Sequence, residues 1–258
     1  MSINININAD MAEGFGAYDI GNDFALLDII KSANIACGFH AGDPTIMHRV
    51  VKQANQIGVS IGAHPGYNDL WGFGRRKIEM NPQDLEYAVA YQIGALQAIA
   101  ATVGEKVTHL KPHGALNNFA AVNEEAALAI GRAIKAVDPD IIYVVLSGSE
   151  MERAAENLNL VVAREGFPDR MYDDFGNLIS RSILGAVITD PLQAAEQALR
   201  MVMDSEIISL GGHKIKRKID SLCIHGDEAS SFIVASEVRD RLETAGVNIL
   251  SLPELLLN

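Results

Sequence analysis

Short apolar runs that end in polar residues recur along this chain. Most are followed by a Gly- or Pro-bearing loop and then a stretch of helical periodicity. Seven such runs are legible: Ile3 to Asn8, Ala33 to Ala36, Val59 to Ala63, Val107 to Lys111, Ile141 to Leu146, Leu160 to Arg164 and Ser221 to Ile224. The helical stretches are Pro44 to Ile57, Pro82 to Val103, Glu124 to Val137, Pro191 to Met203 and Ser230 to Ala245. Strands alternating with helices of this length imply parallel pairing, because a parallel neighbour is reached only through a crossover. Asn81-Pro82 and Asp190-Pro191 each set a capping side chain before a Pro at the first helical position, and Gly58, Gly104 and Gly246 close their helices. The segment Ile207 to Ile219, with Gly211-Gly212 at its middle, breaks the alternation and reads as a β-hairpin. The Ile/Asn alternation of the first run reads as a strand with one buried face. The expected architecture is a closed or nearly closed (β/α) barrel of about seven parallel strands, with an open doubly wound sheet as the second choice. No linker-like stretch divides the 258 residues, so 1–258 is read as a single domain.

Charge narrows the partners. The chain carries 33 acidic side chains against 21 Lys and Arg, a formal charge of −12, which argues against nucleic acid or an anionic membrane surface. The one basic cluster, Lys214, Lys216, Arg217 and Lys218, falls on the hairpin and reads as a solvated face. No apolar run approaches the roughly 20 residues that span a bilayer. The start, MSINININAD, has neither a basic nor an apolar leader region. Two cysteines, Cys37 and Cys223, make no disulfide framework, so a cytoplasmic location is expected.

Chemistry in parallel α/β folds gathers at the carboxyl ends of the strands. Here those ends carry titratable groups: Asp10 and Glu13 after the first run, Cys37, His40 and Asp43 after the second, and His64 after the third. His109, Lys111 and His113 come with the fourth run, and His225 and Asp227 with the seventh. One such histidine is usually structural; five converging on one end describe a site. Asp43 stands before Pro44 and caps the following helix whatever else it does. Lys111 lies in phase with His109 and His113 along an extended segment. A lysine facing into a barrel is costly unless paired or functional. We therefore take Asp10, Glu13, His40, His64, Lys111 and His113 as candidate catalytic residues, with Asp10 or Glu13 as general base. Arg170, His225 and Asp227 are candidate substrate-binding residues. Asp10, His40 and His64 are candidate ligands of a divalent metal, three protein ligands with an open position being the catalytic pattern for zinc. Cys37 beside His40 is a weaker candidate nucleophile. The chain has no G-x-x-x-x-G-K-[ST] loop, no G-x-G-x-x-G, no G-x-S-x-G elbow and no H-E-x-x-H.

The loops that carry these residues, SANIACGFHAGDP (32–44), GVSIGAHPGYNDLWGFGRR (58–76), YQIGAL (91–96), HLKPHGALNN (109–118) and FPDRMYDDFGNLISR (167–181), resemble the LamB/YcsF family, the A subunits of bacterial 5-oxoprolinases. The resemblance implies a barrel variant of the glycoside hydrolase/deacetylase type. It also implies a hydrolase acting on a cyclic amide: ATP-dependent opening of 5-oxo-L-proline to L-glutamate, together with subunits B and C. ATP would then be a co-substrate; with no phosphate loop in this chain, its handling is expected to fall to a partner. Two stretches depart from the family pattern. NADMAEG replaces the usual N-C-D-L-G-E-G but keeps Asp10 and Glu13; HGDEASS replaces H-G-D-T-P-G but keeps His225 and Asp227. Two other readings stay open on the residues alone: a metal-dependent deacetylase or amidohydrolase acting by itself, and a non-catalytic subunit that holds a small ligand.

Overall fold

The computed structural model describes residues 3–18, 20, 22–224 and 229–257, the side chains of 229–231 excepted. In chain order its elements are β1 (Ile3–Met11), α1 (Asp23–Leu27), β2 (Ser32–Ala36), α2 (Pro44–Ile57), β3 (Ser60–His64), α3 (Pro82–Ala101), β4 (Val107–Leu110), α4 (Gly114–Ala120), α5 (Glu124–Val137) and β5 (Ile142–Leu146). They continue with α6 (Glu150–Asn157), β6 (Val162–Gly166), α7 (Pro191–Met203), β7 (Glu206–Ile208), β8 (Lys214–Lys216), β9 (Ser221–Ile224), α8 (Ala229–Thr244), β10 (Val247–Ile249) and α9 (Leu252–Leu256). Strands β1 to β6 pair in sequence order, all parallel, and β9 joins β6 to β1, so seven strands close a (β/α) barrel. All seven strands coincide with the runs read from the sequence, within one to three residues at their ends.

Helix boundaries follow local chemistry. Asn81, Asp190 and Asn123 each accept a backbone N–H at the start of α3, α7 and α5. Asp43 Oδ1 accepts from Thr45 and Ile46 at the start of α2, and Gly58 ends that helix in the left-handed region. β7 and β8 pair antiparallel across Gly211-Gly212, as a hairpin requires. Helices α1, α4, α6 and α9 and strand β10 lie outside the sequence reading. Most are one or two turns long, too short to display a period.

β1 departs from expectation in an instructive way. The alternation predicted one buried face, yet both faces are buried from Ile5 to Ala9. Ile5, Ile7, Ala9 and Met11 belong to the main apolar core. Asn6 and Asn8 point the other way, into the barrel, and no solvent reaches them. A strand in a closed parallel barrel has no wet side. Polar residues on its inner face must therefore satisfy one another. Asn6 donates to Ser32 Oγ at 2.9 Å and accepts from Ser221 Oγ at 2.6 Å; Asn8 donates to Ser221 Oγ at 2.7 Å and to Glu165 Oε1 at 2.9 Å. The N-terminal end of the barrel is closed by the chain's last helix. Leu252 of α9 packs with Ile142, Val144 and Ala163, and its N–H donates to Ser32 Oγ at 3.1 Å. The opposite end is left for the site.

Candidate active site

β1 carries the inner polar column up to the C-terminal mouth, where it ends on Asp10. Asp10 Oδ1 accepts from Asn34 Nδ2 at 2.9 Å and from Lys111 Nζ at 2.8 Å. Lys111 is only 2% exposed. Its ammonium also lies 3.4 Å from Glu165 Oε1 and donates to Cys223 Sγ at 2.9 Å. Burial alone would lower the lysine's pKa, but Asp10, Cys223 and Glu165 outweigh it and hold the ammonium charged well above the ordinary lysine range. Glu165, fully buried at the end of β6, escaped the sequence reading. The sequence reading ended this run at Arg164, one residue short of it, although Glu165 alternates in phase with Ala163 and Phe167.

Beside this ion cluster stand three imidazoles and a carboxylate. His40 and His113 stack with ring centroids 3.7 Å apart, and His64 meets His113 edge-on at 4.9 Å. Glu13 Oε1 lies 3.3 Å from His40 Nε2 and 3.3 Å from His113 Nδ1. His64 Nε2 is 3.3 Å from Asp10 Oδ2 and 3.0 Å from His113 Nδ1. Two backbone carbonyls aim the rings: Lys111 O accepts from His64 Nδ1 at 2.7 Å, and Phe73 O accepts from His113 Nε2 at 2.8 Å. Phe73 sits at φ +53° and Gly74 at φ +61°, so this loop holds a conformation that L side chains avoid, and does so against the site. A Cβ on Gly74 would fall 2.6 Å from His40 Cβ and 2.8 Å from His113 Cδ2, so only glycine fits there.

Burial lowers the pKa of His40 and His113 well below the ordinary imidazole range, and each feels the neighbouring histidines as like charges. Both rings are therefore neutral near pH 7. Burial raises Glu13, with His113 opposing and Asp10 adding to the rise. Cys37 is buried, donates to Ile35 O at 3.1 Å and is pushed up to about 12, which leaves no thiolate at neutral pH.

The sequence grouped His109 with Lys111 and His113, and here the structure separates them. β4 ends at Leu110, and His113 caps α4 in extended conformation. His109 lies deeper, its ring against Gly62, where an added Cβ would come within 2.2 Å of Cδ2. Its Nδ1 bonds Thr108 Oγ1 at 2.8 Å, and burial takes its pKa down to about 3. A cavity of about 280 Å³ opens on the mouth, and its lining includes Asp10, Glu13, Lys111 and His113 together with Arg75, Arg170, Ser180 and Arg181. His40 and His64 are not among its lining residues. Arg170 comes from the 167–181 loop, donates to Ile179 O at 2.5 Å, and keeps its Nε buried with no partner. The candidate residues His225 and Asp227 lie outside the described residues. The cluster of candidate metal donors differs from the trio Asp10, His40 and His64 expected from the sequence. The donor atoms that converge, all within 4.8 Å of one another, belong to Glu13, His40, His64 and His113, whereas Asp10 is engaged by Lys111 and Asn34.

The fold is thus a closed parallel (β/α) barrel whose C-terminal mouth gathers carboxylates, imidazoles and one paired lysine. Over residues 5–256 the sequence matches the LamB/YcsF family, and the chain belongs to that family. The A subunit of a 5-oxoprolinase from Rhodopseudomonas palustris is 51% identical over 246 residues, covering 95% of this chain and 97% of that protein. The crystal structure of a lactam utilization protein from Thermus thermophilus superposes with a TM-score of 0.92 at 42% identity, covering 97% of this chain and 100% of that one. A deacetylase solved with its substrate shares the fold alone, at a TM-score of 0.51 and 16% identity over 98% of this chain and 90% of that chain. Among the described residues no helix is long and apolar enough to cross a membrane.

Proposed function

We propose that this chain is the hydrolytic subunit of an ATP-dependent 5-oxoprolinase, opening 5-oxo-L-proline to L-glutamate with release of ADP and phosphate, in complex with subunits B and C. The observation that carries the reading is the likeness, across nearly the whole chain, to proteins named for this activity, joined to a mouth that contains the groups the reaction needs. A five-membered lactam resists attack at its carbonyl carbon. Phosphorylation of the amide oxygen by ATP, with ADP leaving, makes that carbon electrophilic; water then adds, the ring C–N bond breaks as its nitrogen takes up a proton, and a second water splits the resulting acyl phosphate into the carboxylate of glutamate and phosphate. ATP handling falls to a partner subunit, since this sequence has no phosphate loop.

Within this chain, the proton of the attacking water passes to the Asp10–Glu13 pair. Burial shifts Glu13 upward, the direction a base working near neutral pH requires. His64 links Asp10 to the imidazole cluster. Lys111, fixed by Asp10 and Glu165, presents positive charge at the cavity floor where an oxyanion develops. Arg170 faces the same cavity and suits the substrate carboxylate, with His225 and Asp227 kept as further candidates from the sequence. Residues 1–258 act as one domain, and two free, buried cysteines suit the reducing cytoplasm.

Reconstitution tests the proposal. Glutamate formation from 5-oxoproline and ATP should require this chain together with its partners, and be absent with either alone. In the complete complex, Asp10→Asn or Glu13→Gln should lower kcat on the order of 100-fold or more for whichever residue is the base. Full turnover by the partners without this chain would overturn the assignment.

A further inference from the structure

The three imidazoles around Glu13 are aimed in a way that hydrogen bonding among themselves does not explain. A carbonyl oxygen can only accept, so the contact to Phe73 O commits the Nε2–H of His113, and the contact to Lys111 O commits the Nδ1–H of His64. With one proton per ring, this leaves lone pairs on His113 Nδ1 and His64 Nε2, and these two atoms face each other at 3.0 Å. Glu13 Oε1 adds a third acceptor, 3.3 Å from His113 Nδ1 and 4.0 Å from His64 Nε2. His40 Nε2 lies on the far side of that carboxylate oxygen at 3.3 Å, while its Nδ1 is buried without a partner. One proton can bridge one pair of these atoms. A single cation between them meets all four.

The rest of the arrangement has the features of a built metal site. Metal-bound histidines characteristically donate their other N–H to a backbone carbonyl or carboxylate, which fixes the tautomer and the ring plane. Two of these three do so. Three nitrogens and one carboxylate oxygen, drawn from the ends of β3 and of three loops, are a donor set of borderline hardness suited to zinc, with donor separations of 3.0 to 3.3 Å for the closest pairs, the spacing of ligands about 2 Å from a common centre. Phe73 closes the back of the cluster, edge-on to both His40 and His113. The cavity lies in front, against Glu13 and His113.

We infer that Glu13, His40, His64 and His113 form a binding site for one divalent transition-metal ion of the zinc class. An ion held there would supply Lewis-acid polarisation of a carbonyl or of a water. With Glu13 engaged as a ligand, Asp10, which touches His64 but stands outside the four donors, is left as the proton acceptor of the carboxylate pair. The site stands on geometry alone and does not depend on the lactamase reading.

The test uses the full-length chain after dialysis against a chelator. Titration with Zn²⁺ by calorimetry should show one ion per chain, and Co²⁺ should give the intense visible bands of a low-coordinate site. Glu13→Gln and His113→Ala should each weaken binding by at least the 10–100-fold typical of losing even an outer partner. His213→Ala, which removes an exposed histidine of the hairpin, should leave it unchanged. Nitrogen chemical shifts of the imidazoles cover the case in which a variant fails to fold: Zn²⁺ should move His113 Nδ1 and His64 Nε2 in the wild-type chain. A folded wild-type chain with no stoichiometric binding, or Glu13→Gln binding as tightly as wild type, would overturn the site. A chelator-treated complex that still forms glutamate at the full rate would overturn any catalytic part for the ion while leaving the lactamase reading intact.

Discussion

The two faces of β1 obey different rules. Outward, Ile5, Ile7, Ala9 and Met11 meet an apolar shell that continues through the inner faces of α2, α3, α5, α7 and α8. Inward, Asn6, Asn8 and Asp10 meet Ser32, Asn34, Lys111, Glu165 and Ser221, a polar column running from the plugged bottom of the barrel to its mouth. The shell is non-directional, and its members contribute roughly in proportion to the area they bury. The column is directional, and each member is worth most through what its loss would leave unpaired. A shell residue is therefore expected to cost in proportion to the volume it leaves empty, and a column residue in proportion to the partners it strands. The inner network is also what delivers Asp10 and the charged Lys111, fixed against each other, to the cavity.

The sharpest way to break that contrast is Lys111→Met. It keeps the stem but strands the buried Glu165 beside the half-buried Asp10, and should cost about 3–5 kcal/mol in urea unfolding. Combining it with Glu165→Gln should recover part of the loss, because fewer charges remain unpaired. If the single variant unfolds like wild type, stranding partners in the column carries no such cost. Kinetics of the reconstituted complex then separate contact from support. A rise in KM at unchanged kcat marks a contact to the substrate carboxylate, and a fall in kcat marks a contact made only to the oxyanion. Unchanged constants for the folded fraction mark a structural ion pair.

Its counterpart in the shell is Leu96→Ala, at a fully buried position of α3. The cavity left behind should cost about 2–5 kcal/mol. KM and kcat of the folded complex should not move, since no polar contact of the mouth passes through Leu96. A kinetic defect as large as the stability defect would show that shell and column are coupled.

Acid should find the interior first. His40, His109 and His113 are held below their ordinary pKa, so between about pH 6.5 and their folded values the unfolded chain binds more protons than the folded one. Stability then rises with pH and is lost as pH falls from 6.5, by about 1.4 kcal/mol per pH unit for each such group. For His109 the window runs down to about pH 3. Glu13, shifted upward, works the other way: below its folded value the folded chain holds the extra proton, which offsets part of the loss. Unfolding of wild type and His109→Asn, compared at pH 7, 6 and 5, should give a shallower slope for the variant by about one proton. Parallel slopes would remove His109 from the account.

The barrel was legible because its determinants are local and repeated: seven apolar runs, five helices with caps or glycine stops, and polar residues at the strand ends. The inner column was only half legible. Asn6 and Asn8 read as a wet face because period 2 reports two chemistries but not which side is closed, and closure is a property of all seven strands together. Glu165 was missed because the sixth run was read as ending at Arg164, whereas β6 continues to Gly166. The convergence of His40, His64 and His113 on Glu13 follows from strand ends sharing one mouth. Which carboxylate meets which ring, however, depends on where two carbonyls, Phe73 O and Lys111 O, point. Nothing in residue spacing encodes that.

Asp43 sits where shell and mouth meet, and it offers the smallest and most discriminating change. Its Oδ1 caps α2 through Thr45 and Ile46, and its Oδ2 accepts from Gly16 N at 2.8 Å, at the far end of the loop that carries Glu13. The Gly16, Ile46 and Thr45 amides hold its carboxyl below the usual range, so this support is present at neutral pH and lost as pH falls through that lowered value. Asp43→Ala should cost about 1 kcal/mol, the ordinary value of an N-cap. Asp43→Asn keeps an acceptor for the helix and should cost less. The two variants diverge at the loop, since only the second retains an oxygen for helix or loop. If Gly16 is held to the helix start through Asp43, Asp43→Ala should lower kcat of the complex beyond what the folded fraction explains, and Asp43→Asn should restore most of it. If both variants change stability alone, Asp43 belongs to the shell, and Glu13 is placed by the histidines it touches rather than by its loop.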